Sequence, residues 1–113
     1  MSTNRLPDYL QHMLEAIHNA QVFTEGMAQA DFEEDKKTQQ AVVMSLIVLG
    51  EAATKIMDFY PEFATEHSEI PWRGMRGMRN RIAHGYFDIN LEVVWDTLLT
   101  ALPPLKSQLQ KLV

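Results

Sequence analysis

The chain has 113 residues, net charge −5 and no cysteine. That length fits one domain, residues 1–113, around one core. The missing cysteines exclude a disulfide framework, a thiol nucleophile and a thiolate zinc site, and they fit a reducing cytoplasm.

Leu6 to Thr24 reads as the first helix. The residues before it, Met1 to Arg5, lack the apolar run of a signal peptide. Pro7 suits a first turn, where a missing N–H costs nothing. Tyr9, Leu10, Met13, Leu14, Ile17, Ala20 and Phe23 recur at spacings of three and four and define its core face. Gly26 supplies the stop. His12 and His18 fall among polar positions and are expected to be solvated.

Asp31 followed by Glu34 has the form of a capping box, with Asp35 as a competing second cap. From there a long helix is expected to run to about Phe59. Ala41 to Leu49 is apolar nearly all round, which marks the central helix of the fold. This apolar run is half the roughly 20 residues that a membrane span needs, so it reads as core. Gly50, Ala52, Ala53 and Thr54 are small and admit a close backbone, that of a second subunit included. Glu51 has two readings. It is an exposed partner of Lys55 at i+4, or a partly buried carboxylate holding an arginine or histidine from elsewhere.

Pro61 ends the long helix, and Glu62 to Glu69 forms a short helical turn and loop with His67 at the surface. Pro71 opens the next helix and Gly85 closes it. Here Arg73, Arg76, Arg79 and Arg81 fall within nine residues, and no acid interrupts between Glu69 and Asp88. The rest of the chain therefore carries −5 − 4 = −9. A guanidinium donates two parallel hydrogen bonds to a phosphate, and His84 ends the island with the side chain that titrates nearest neutrality. At about 100° per residue, Met75, Met78 and Ile82 form an apolar stripe, with Arg73, Asn80 and His84 opposite. Arg79 and His84 lie about 140° apart and do not share a face. Either the helix ends near Ala83 and Gly85 lets His84 swing round, or the two residues meet across a two-fold interface. The second, helped by the first, is the expectation.

Tyr86 to Ile89 is a short connection, and Asn90 caps the next helix. Val93, Val94, Trp95, Leu98, Leu99 and Leu102 give it a core face, Pro103-Pro104 must kink it, and Leu105, Leu109 and Leu112 resume the stripe. The expected fold is all-α, an up-and-down bundle of four to five main helices.

Arg79-x4-His84, with Asn80 directly after the arginine, resembles the Arg-x(4–6)-His signature of HEPN-domain ribonucleases. His84-x-Tyr86 extends it to the Arg-x4-His-x-Tyr motif of HepT toxins. Leu49-Gly50-Glu51-Ala52-Ala53 and Ile70-Pro71-Trp72-Arg73-Gly74-Met75-Arg76 match as well, and the similarity runs from about Leu6 to Leu112. The resemblance implies a HEPN-like bundle and a metal-independent endoribonuclease with no cofactor. His84 would be the general acid/base, a role worth about 10² to 10⁴ in rate. Arg79 would hold the phosphate and stabilise its transition state. Asn80 would orient the imidazole or bond a phosphate oxygen, with Glu51 in support. Arg73, Arg76 and Arg81 would line an RNA groove of salt-sensitive affinity. A homodimer would bring two copies of His84 and Arg79 into one cleft. The resemblance also implies an MNT-type nucleotidyltransferase antitoxin that transfers AMP onto Tyr86. The bulky, negative adenylate would fill the cleft and repel RNA.

Other readings stay open at this level. The arginines fit a solvated face with ion pairs, His84 a helix C-terminus favoured by the dipole, and Tyr86 a core aromatic. The whole chain fits a non-catalytic partner of a nucleotidyltransferase, or a dimeric nucleotide-binding module. A metal site is poorly supported, because His84 has no partner at ligand-like spacing. No nucleophile elbow and no separate DNA-reading helix stand out.

Overall fold

In the computed structural model, which describes residues 4–113, the regular elements are helical. Residues 1–3, which open the stretch read as lacking a signal peptide, lie outside the described residues. The helices are α1 (Leu6–Phe23), α2 (Gln29–Glu34), α3 (Lys36–Phe59), α4 (Pro61–Glu66), α5 (Trp72–His84), α6 (Leu91–Asp96) and α7 (Leu102–Gln110). The expected all-α bundle is present, with α3 packed between α1 and α5.

Leu10, Met13, Ile17 and Ala20 of α1 are buried as their spacing requires, together with Ala16. Phe23 is exposed, because it falls in the last turn beyond the core. Gly26 adopts a left-handed φ of 78°, which lets the chain reverse after α1. His12 and His18 are exposed.

The segment after Gly26 departs from the single long helix. Asp31 is not the cap residue. It stands three positions into α2, and its Oδ2 accepts from the Ala28 N–H at 2.9 Å. Asp35 then ends α2 and caps α3, accepting from the Thr38 N–H at 3.1 Å and hydroxyl at 2.8 Å. These bonds hold the Asp35 carboxyl below its ordinary value. Between the two caps Phe32 is fully buried against Trp95 of α6, ring centroids 5.4 Å apart.

The central helix is not buried all round. Met44 and Val48 are 58% and 39% exposed. With Glu51, Lys55 and Phe59 they make one open stripe about 80° wide. Among the described residues no helix is long and apolar enough to cross a membrane.

Trp72 fixes the start of α5. Its indole N–H donates to the carbonyls of Ala64 (3.1 Å) and His67 (3.0 Å). His67 is half-buried rather than a free surface residue, with its ring 4.5 Å from that of Phe63. The irregularity expected near Pro103-Pro104 is a π turn over Thr97–Ala101, closed by the Leu102 N–H on the Thr97 carbonyl. The prolines follow in the first turn of α7, where no N–H is needed. Val94, Trp95, Leu98 and Leu102 enter the core, whereas Val93 and Leu99 are more than half exposed.

Candidate functional site

The site rests on how closely α5 crosses α3. The backbone that meets Gly50 is that of α5 in the same chain. A Cβ at Gly50 would lie 2.5 Å from the Cβ of Arg79 and 2.7 Å from the Met75 carbonyl oxygen. Only glycine leaves room for this crossing. The side chain of Arg79 thereby starts against α3 and runs outward along it, one residue from Glu51.

Two acceptors fix the Arg79 guanidinium. Glu51 Oε2 takes a hydrogen bond from one terminal nitrogen at 2.6 Å, and Asn80 Oδ1 takes one from Nε at 3.0 Å. Glu51 thus holds an arginine, and among the described residues no ion pair joins it to Lys55. Its side chain is 49% exposed and that of Arg79 is 21% exposed. In such surroundings an ion pair adds at most about 1 kcal/mol to stability. Its consequence is orientation, since a guanidinium held on two sides presents its remaining N–H groups in a fixed direction. Asn80 bonds the arginine through its amide oxygen. Around the helix it stands about 100° from Arg79 and about 40° from His84.

The arginine island divides. Arg76 bonds Asp58 of α3 at 2.8 Å, two turns beyond Glu51, so Arg79 and Arg76 form two rungs between antiparallel helices. Asp58 escaped sequence reading; its seven-residue spacing from Glu51 was the available signal. Arg76 Nε is buried with no hydrogen-bond partner among the described residues. Arg73 and Arg81 are exposed, and among the described residues neither has an acidic partner. The solvated-face reading therefore holds in part for Arg76, and Arg73 and Arg81 remain open cations.

His84 is exposed in the last turn of α5. The helix does not stop at Ala83. Gly85 has φ −121° and closes it through its N–H on the Arg81 carbonyl, so no left-handed turn swings His84 toward Arg79. Tyr86 opens a 3₁₀ turn, Tyr86–Asp88. It is half exposed rather than a core aromatic. Phe87, which sequence reading passed over as part of a connection, is 98% exposed.

This geometry puts an oriented guanidinium and a solvent-facing imidazole on one helix. The family model described as ribonuclease HepT-like matches residues 13–112. The chain belongs to the HepT-like ribonuclease family. A HepT-like chain of Thermococcus cleftensis, named as a probable ribonuclease HepT, is 41% identical over 105 residues, covering 93% of each protein. Relatives named as candidate RNases occur in Methanocaldococcus jannaschii and Caldanaerobacter subterraneus. They are 33% and 32% identical, over 93% of this chain and 84% and 91% of their own lengths. No solved structure matches this HepT-like chain.

Proposed function

We propose that this ribonuclease-family chain is a metal-independent endoribonuclease that cleaves with Arg79 and His84. The observation that carries the proposal is the two-sided clamp of Glu51 and Asn80 on the Arg79 guanidinium, with an exposed His84 on the same helix. In RNA the 2′-hydroxyl is the nucleophile. A base removes its proton, the 2′-oxygen attacks phosphorus, and the bond from phosphorus to the 5′-oxygen breaks as an acid protonates the leaving group. The products are a 2′,3′-cyclic phosphate and a 5′-hydroxyl. His84 serves as acid/base, and Arg79 stabilises charge on the phosphoryl oxygens.

One imidazole supplies one proton-transfer group, and α5 holds it about 140° from Arg79. A two-fold homodimer answers both shortages by facing two such helices across one cleft. The open stripe of Met44, Val48 and Phe59 flanking Glu51 is an apolar surface on which a second copy fits. Arg73 and Arg81 then extend the cationic surface for the RNA backbone, with Arg76 contributing from its pair with Asp58.

The family resemblance adds a biological setting, a toxin in a type VII-like toxin–antitoxin pair of the cytoplasm. A nucleotidyltransferase antitoxin would transfer AMP onto Tyr86, whose hydroxyl has no protein partner among the described residues. The adenylate would place negative charge beside the motif cations. The test is cleavage of total RNA, with and without chelator, by wild type, Arg79→Ala and His84→Ala. Chelator-resistant cleavage by wild type alone, with cyclic-phosphate ends, is the expected result. Undiminished cleavage by His84→Ala contradicts the assignment.

A further inference from the structure

Phe87 stands almost wholly in solvent, three residues past His84. A lone exposed apolar side chain needs no explanation by itself. Its setting is what sets this one apart. The ring meets that of Tyr86 at 85°, centroids 6.1 Å apart, so the two make a corner with an open phenyl face. That corner borders a cavity of about 330 Å³ between the 3₁₀ turn and the start of α3. Val43 and Leu91 give the cavity an apolar part, and Lys36 and Gln40 give it a polar part. No acidic side chain lines it, although the chain as a whole is acidic.

We infer that the Phe87 corner is a nucleobase subsite, where an unpaired base of the RNA substrate stacks on the phenyl face. The inference rests on the RNA reading given above. Three residues span at most about 10 Å, so a base seated here belongs to a nucleotide close to the phosphate at His84. Recognition of single-stranded RNA works through aromatic stacking, with hydrogen bonds to base edges. Gln40 has both a donor and an acceptor for such an edge, and Lys36 suits the backbone phosphate. A protein ligand would ask for a broad apolar face, whereas the corner is a narrow projection edged by Lys36, Gln39 and Gln40. The subsite confers a preference for unpaired RNA.

The test uses a 2′-O-methyl oligonucleotide carrying 2-aminopurine, which binds without being cleaved. Wild type is expected to bind it and quench its fluorescence. Phe87→Ala should weaken binding by about five- to a hundredfold, the usual range for one lost base stack, and should abolish the quenching. Phe87→Trp should retain both. The side chain touches almost nothing, so these variants fold. Equal affinity and quenching in Phe87→Ala overturns the inference, as does failure of wild type to bind. Loss of self-association in Phe87→Ala, with RNA affinity unchanged, also overturns it and makes the corner a protein contact. A chain that binds and quenches the analogue but cleaves no RNA removes the nuclease reading and leaves the base subsite standing.

Discussion

Replacing Gly50 with alanine separates two opposing effects of known size. Inside a helix, glycine to alanine normally stabilises by roughly 0.5–1 kcal/mol, because the unfolded chain loses freedom. At Gly50 the new methyl meets the Arg79 Cβ at 2.5 Å and the Met75 carbonyl at 2.7 Å, where ordinary contact begins at 3.4 Å. Neither atom is the tip of a flexible side chain, so α5 must move away from α3 by about 1 Å. Overpacking of this kind costs about 1–3 kcal/mol, which exceeds the propensity gain. Gly50→Ala is therefore expected to be destabilised by up to about 2.5 kcal/mol in urea unfolding. The same shift carries Arg79 away from Glu51. A displacement of about 1 Å at a catalytic group costs on the order of 10² in rate, so RNA cleavage should fall far more than stability. A variant with raised stability and unchanged cleavage refutes the claim that this crossing positions Arg79.

Further expectations follow from the same geometry. Glu51→Gln should lose cleavage by about 10- to 100-fold while shifting stability by less than about 1 kcal/mol, measured by turnover and thermal melt, because Glu51 is half exposed and the pair orients rather than stabilises. Tyr86→Phe should retain cleavage yet gain no adenylate mass when coexpressed with the proposed nucleotidyltransferase partner; an adenylate found on that variant as on wild type rules out this tyrosine. The Asp35 cap has a defined pH signature. Its carboxyl sits below the ordinary 3.8 through the Thr38 bonds, so its contribution to stability is present above that pH. It is lost as pH falls through the lowered value. The stability gap between wild type and Asp35→Ala should stay level near neutrality and close in acid, and a gap independent of pH counts against the cap.

Much of the fold was legible because helical periodicity is a direct record of burial. The spacing of Leu10, Met13, Ile17 and Ala20, and of Met75, Met78 and Ile82, marks faces that do enter the interior or pack against it. The sharper reading of Glu51 was also available, since a carboxylate among apolar neighbours needs a cation. What failed depends on which neighbour covers a face. Val93, Leu99, Met44 and Val48 have core chemistry, but among the described residues no element covers them. The small residues around Gly50 announced a close approach without saying by which backbone. The Asp31 reading erred by three positions because an acid accepts from an N–H equally well at the cap or inside the first turn. Phe87 gave no periodic signal, as a side chain in a three-residue 3₁₀ turn has no repeating face to declare.

The shared cleft is the central claim, and subunit mixing tests it most directly. Equal amounts of wild type and His84→Ala are allowed to exchange subunits, and RNA cleavage is compared with wild type at the same total concentration. If both imidazoles of a two-fold pair are required, only wild-type homodimers cleave and the rate falls to about a quarter. A rate of about one half shows that each chain works alone and contradicts the account.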